Sequence, residues 1–119
     1  MISPGFAQRE PEAARRFVTA QIRGQRDFWH AFIKRDTPAA RDEIIDVLTR
    51  YTPVKDPQQW SDAIMPGVGL NGELSDALVE DYQSYFVKVG SQRELIPSAR
   101  VVDHSYVEYA LERLGRESY

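Results

Sequence analysis

The stretch from Pro11 to Lys34, PEAARRFVTAQIRGQRDFWHAFIK, constrains the fold of this chain more than any other. At about 100° per residue, Ala14, Phe17, Val18, Ile22, Phe28, Trp29, Phe32 and Ile33 gather on one side. Arg16, Arg23, Arg26, Asp27, His30 and Lys34 fall on the other. A long amphipathic helix with an aromatic apolar face accounts for that separation. Pro11 is pre-set for the first helical position, and Glu12 suits the positive end of the helix dipole. Gly24 costs about 1 kcal/mol relative to alanine in a helix interior, which points to another element packed closely over it.

Proline and glycine cut the remainder into four further helical segments. Thr37-Pro38 reads as cap and first residue of a second helix, with Ile44, Ile45, Leu48 and Tyr51 on its core face before Pro53. Asp56-Pro57 opens a short third helix carrying Trp60 and Ile64, with Gln59 placed for a capping box. PGVGLNGE, residues 66–73, is a loop with a tight turn at Asn71-Gly72. Ser75 caps the fourth helix, whose apolar stripe is Leu78, Val79, Tyr82, Tyr85, Phe86 and Val89, and Gly90 stops it. Asp103 caps the last, with Val107, Leu111 and Leu114 inward and Gly115 as its end. No window shows the period-2 alternation of a half-buried strand. The expected architecture is all-α, about five helices in a single helical domain spanning 1–119.

Composition narrows the functions open to such a chain. Its 15 basic residues are interleaved with 18 acids for a net charge of −3, whereas nucleic-acid binding needs a concentrated basic surface. No nucleic-acid partner is expected. The absence of cysteine removes disulfides, thiolate chemistry and most structural zinc sites. No apolar run approaches the ~20 residues that span a bilayer, so the chain is expected not to be membrane-spanning. MISPGFAQRE lacks the pattern of a secretory signal peptide.

No catalytic set emerges. His30 and His104, the only histidines, have no metal-ligand partner at helical spacing and read as surface residues. Ser75 reads as a cap; no serine sits in a GxSxG turn, and the glycine-rich loop lacks the Lys-Ser/Thr of a phosphate loop. The carboxylates of Asp42, Glu43, Asp46, Glu80 and Asp81 read as solvated helix faces. The expectation is no enzyme, no cofactor and no metal. Two features stand out from this background. Gln21 and Gln25 fall within the apolar face of the first helix, where amides must find partners, and they are weak candidates for a polar seam with a neighbour or ligand. Tyr106, Tyr109 and Val87 lie off their helices' apolar stripes and hint at surface meant for a partner or for a further portion of the fold.

Four landmarks follow one another along the chain. They are Pro11-Glu12-Ala13-Ala14 with Phe17, Ala20, Arg23 and Gly24; EIIDVLTRYTPVKDP; Asn71-Gly72 before Leu78 and DYQSYFVKVG; and Val101-Val102-Asp103 with Tyr106-Val107, Ala110-Leu111 and Gly115. In that order and spacing the chain resembles the C-terminal region of periplasmic solute-binding proteins of ABC importers, in the branch handling nitrate, sulfonates, taurine and thiamine-precursor pyrimidines. The resemblance implies the helical C-terminal segment of a two-lobed α/β clamp, in the periplasm. The intact protein would deliver a small-molecule solute to an ABC permease. The elements lining the ligand cleft come from earlier sequence in that family. No ligand contact is therefore carried onto this chain, which is not expected to bind solute alone. The alternative is a free-standing helical protein-interaction or homodimerisation module. Helices cut from a larger lobe expose apolar surface, and forming a homo-oligomer is the simplest way to cover it.

Overall fold

The computed structural model describes residues 2–119. The described residues form helices and connecting turns without strands: α1 (Pro4–Arg9), α2 (Pro11–Phe28), a π-helical turn (Trp29–Lys34), α3 (Pro38–Tyr51), α4 (Pro57–Asp62), α5 (Asp76–Lys88), α6 (Ser98–Val101) and α7 (Ser105–Leu114). The all-α expectation holds, and the five expected helices are all present. Sequence reading missed the short α1 and α6, and it took the π turn for a continuation of α2. Within that turn each residue advances through a smaller angle than in an α-helix, so the inward phase slips. Ala31 is buried there, whereas Ile33, assigned to the core face, is exposed. Arg35 closes the turn at φ +60°, its N–H donating to the carbonyl of His30.

The chain groups into two compact units. One comprises residues up to Thr19 together with Gly72–Gly115; the other comprises Ala20–Asn71 with Arg116–Tyr119. In the second unit the core is Ala31, Phe32 and Ile45, with Phe28, Ile44, Leu48, Trp60 and Met65 packed against it. Phe28 and Phe32 stack at 4.9 Å between centroids, and the Arg41 guanidinium covers Phe32 at 5.4 Å. Trp60 donates its indole N–H to the carbonyl of Val54 at 3.2 Å, which satisfies its polar edge while the ring packs. Lys55 donates to the carbonyls of Thr49 and Arg50 at the end of α3, where the dipole favours a cation. Tyr51, expected to face inward, and Ile64, expected on the third helix, are exposed, because α3 ends at Tyr51 and α4 ends before Ile64. Thr37 holds the cap position of α3 but makes no side-chain cap bond.

In the first unit, the buried side of α2 includes Ala14, with Arg15, Val18 and Thr19 half-buried. Phe17, assigned to the core, stands on the exposed side. Tyr109 of α7 lies between two guanidinium groups, Arg113 at 3.4 Å and Arg15 at 5.2 Å from its ring centroid. Tyr106 and Tyr109 are both half-buried, so they are not the free partner surface the sequence suggested. Ala110 and Leu111 are buried on the same helix, as expected for Leu111. Asp103, expected to cap α7, stands one residue before the cap position, which His104 holds without a side-chain cap bond; Asp103 accepts instead from the Ser105 N–H at 3.0 Å and the Ser105 hydroxyl at 2.6 Å. Those bonds, the hydroxyl first, hold its carboxyl below the ordinary value.

Candidate functional site: the outward face of helix α5

The rotation of α5 decides what the first unit shows to solvent, and three local features set it. At its start the Ser75 hydroxyl accepts from the Leu78 N–H at 3.4 Å. At its end Gly90 takes φ +77°, a conformation that favours glycine. The Gly90 N–H donates to the Val87 carbonyl at 3.1 Å, and the Ser91 N–H donates to the Phe86 carbonyl at 2.9 Å, which is the bond pattern of a Schellman motif.

Midway along, Gln83 is only 7% exposed. Its Oε1 accepts from the Ile96 N–H at 2.9 Å and from Gln92 Nε2 at 2.8 Å, and its Nε2 donates to the Ile96 carbonyl at 2.9 Å. A buried amide bonded this completely carries little desolvation penalty and ties the helix to the 92–96 loop. Val79 and Val87, one turn to either side, are half-buried with it.

The inward face of α5 is therefore Val79, Gln83 and Val87. Of the expected stripe only Val79 points inward; the rest is reversed. Leu78, Tyr82, Tyr85, Phe86 and Val89 all face solvent, with Tyr82 and Tyr85 57% and 59% exposed, and Val87 is on the inner side. Periodicity alone could not find this, because the apolar stripe is genuine and only its direction differs. The available signal was chemical: two tyrosines, whose hydroxyls suit a wet boundary, bordered by Asp81 and Lys88. Leu78, Tyr82, Tyr85 and Val89 fall within an arc of about 60°, and Leu74 on the loop before the helix is exposed too. A shallow groove of ≈ 560 Å³ runs along Asp81, Tyr82, Ser84, Tyr85 and Lys88. Contiguous apolar surface of this kind marks interaction sites on soluble domains.

Two other clusters lie in the second unit. His30 was expected to be an ordinary surface residue, yet both of its ring nitrogens are engaged. Nδ1 faces Asp36 at 3.0 Å and Nε2 faces Glu117 at 2.6 Å. The imidazolium can donate from both nitrogens, so the Glu117 bond, followed by the Asp36 bond, raises its pKa above the ordinary 6.5. Lys34 in turn holds the Asp36 carboxyl below its usual value, with a lesser contribution from His30. Arg26, expected on a solvated face, has a side chain only 14% exposed. It donates to the Leu70 carbonyl at 2.9 Å and pairs with Glu117 at 3.2 Å. Asn71 completes the cluster, accepting from the Glu117 N–H and donating to the Glu117 carbonyl. The arrangement clips the C-terminal segment to the turn at Leu70–Asn71. With its nitrogens and carboxylates turned on one another it is built to hold structure; among the described residues no group of three or more His, Asp or Glu is arranged to hold a metal ion.

The other cluster is an open groove of ≈ 500 Å³ lined by Phe32, Ile33, Arg35, Arg41 and residues 61–65. Arg41 donates to the Ser61 carbonyl at 2.9 Å, while its buried Nε has no partner.

The two glutamines singled out from the sequence separate. Gln21 is exposed at the edge of α2, away from the buried arc centred on Val18 and Ile22. Gln25 is half-buried, and its Oε1 is enclosed without a hydrogen-bond partner. They do not form a common site. His104 bonds Asp76 at 2.8 Å and joins the start of α7 to that of α5. Among the described residues no helix is long and apolar enough to cross a membrane.

No family model, curated protein or solved structure matches the chain. The resemblance to solute-binding proteins thus rests on the residues quoted for it in the sequence.

Proposed function

We propose that this protein is a non-enzymatic helical interaction module whose docking surface is the outward face of α5. The observation that carries this reading is the exposure of Leu78, Tyr82, Tyr85, Phe86 and Val89 on a helix that buries a glutamine on its other side. Turning the helix over would shelter five apolar side chains, at about 25 cal/mol per Å² of apolar surface removed from water. The bonds of Gln83 to Gln92 and Ile96 hold it outward instead. A surface kept exposed in that way supports docking. A photo-crosslinker in place of Tyr85, used in the producing cell, tests the reading. Protein adducts should concentrate at position 85 relative to the exposed control position Glu43 on α3. Equal labelling at the two positions would sink it.

A second reading is favoured by the groove beside Arg35 and Arg41, whose cations suit a small anion. In it the chain is the C-terminal portion of a periplasmic ABC-importer component for a nitrate-, sulfonate- or pyrimidine-class solute. A thermal-shift screen with those compounds tests it. Stabilisation that disappears in Arg41→Ala would place an anion in this groove, and no shift with any compound would remove the groove as a site.

A further inference from the structure

The exposed residues of α5 have a spacing that selects a partner. Leu78, Tyr82, Tyr85 and Val89 are separated by four, three and four residues, the alternation of a heptad seam in which Leu78 and Tyr85 occupy d positions and Tyr82 and Val89 occupy a positions. The flanking positions follow from that frame. Asp81 and Lys88 are both g; Val79 and Phe86 are both e.

We infer that α5 pairs with α5 of a second copy of this chain, antiparallel about a two-fold axis lying near Gln83 and Ser84. The inference rests on the reading of this face as the docking surface and names its occupant. In an antiparallel pair a layers meet d layers, so Tyr82 of each copy packs on Tyr85 of the other, with Leu78 on Val89 outside them. Flanking g positions then face g, and e positions face e. Asp81 meets Lys88 of the second copy, and the two-fold repeats that ion pair on the same footing. On the opposite flank Phe86 is exposed and lies at the edge of the seam, while Val79 is turned inward beside Gln83. A parallel pair sets g against e. It would put the carboxylate of Asp81 beside Phe86 and leave no ion pair along the helix, so charge matching chooses the antiparallel arrangement. An unrelated helical partner would need its own copy of this pattern, whereas a second copy carries it already.

The length of α5 sets the strength. Thirteen residues span about 20 Å, and one helix pair of that length buries less than the ~800 Å² per partner of a standard interface. The dimer is therefore concentration-dependent. An isolated peptide of α5 would be a poor probe, because helices shorter than ~12–15 residues are marginal in water.

The test uses the full chain in sedimentation velocity from about 5 μM to about 1 mM, a range over which a dimer of this affinity class assembles. The unaltered chain should shift from monomer to dimer. Asp81→Lys and Lys88→Asp should each weaken self-association at least about tenfold by setting like charges together. An equimolar mixture of the two variants should restore dimer, since each then meets its opposite. Both positions are exposed, and unchanged far-ultraviolet circular dichroism confirms the fold of each variant. A monomer throughout the range overturns the inference, as does a dimer indifferent to both charge reversals or a mixture that fails to recover. If the unaltered chain stays monomeric while position 85 still crosslinks to a different protein, the docking-face reading survives and the homotypic pairing does not. If the unaltered chain stays monomeric and position 85 gives no adducts, both fall.

Discussion

Phe28 and Phe32 stack at 4.9 Å around the π turn and help close a core with Ile45, whereas Tyr82 and Tyr85, just as regular in their spacing along α5, stand more than half exposed. The helical period is equally clear in both places. What differs is the anchoring of the opposite face. Around the π turn the polar side is tied down at its edges, with His30 held by Asp36 and Glu117, so the aromatic side turns inward. On α5 the tie is made by a buried amide, Gln83, and the aromatic side turns out. Hydrophobic patterning proposes a face, and the placement of hydrogen-bonding partners decides which way it points.

The largest effect that would sharpen this contrast is expected at Phe32. Phe32→Ala should cost about 3–5 kcal/mol, the range for emptying a buried aromatic site. Tyr85→Ala, at a site with comparable aromatic area, should stay within about 0.5 kcal/mol when measured below the concentration of self-association. Urea denaturation of the two variants decides it. Comparable losses would mean that α5 buries its stripe after all.

Gln83 comes next. Gln83→Ala removes the buried amide that bonds the Ile96 N–H and carbonyl, two part-buried hydrogen bonds, for an expected loss of about 1–2 kcal/mol. Amide hydrogen exchange at Ile96 should accelerate in the same variant. If stability and exchange both stay at the wild-type level, the amide is not what orients α5. A smaller effect is expected at Gly90, where φ is +77° and a side chain meets open space, so the penalty is conformational only. Gly90→Ala should cost about 1–2 kcal/mol. A neutral outcome by urea denaturation would show that the end of the helix relaxes out of the left-handed conformation.

Much of this fold could be read from the residues. Pro11, Pro38 and Pro57 start helices where proline is tolerated, Ser75 caps one, and Gly90 and Gly115 end two with positive φ. These are local signals, and local chemistry honours them. What the residues hid is long-range. His30 pairs with Glu117 across most of the chain, and no pattern within one helix announces a partner so far away. The inward turn of Gln83 depends on loop residues Gln92 and Ile96, which helical projection ignores. Phe17 lies at the rim of the projected face and Gln21 inside it, but the buried arc centres on Val18 and Ile22 and leaves both in solvent. The docking face was therefore visible in the sequence as a stripe of the right residues with the wrong orientation.

The smallest effect concerns the cluster that clips the C-terminal segment. His30 faces Asp36, beside Lys34, and Glu117, beside Arg26. Its folded pKa lies above the ordinary 6.5, chiefly because Glu117 accepts a bond from the charged ring, with Asp36 adding a second. A raised pKa contributes stability that is fully present below 6.5 and is lost as pH rises through the folded value. Denaturation midpoints of the unaltered chain should therefore fall as pH climbs from below 6.5 to above it, and His30→Gln should flatten that slope. Glu117→Gln should flatten it more than Asp36→Asn, in keeping with the order of the two causes. The self-association of α5 has no stake in this cluster, so the dimer constant of His30→Gln should match that of the unaltered chain. An unchanged pH slope in His30→Gln would mean that His30 titrates alike in the folded and unfolded chains, and the clip would then rest on Arg26 and Asn71.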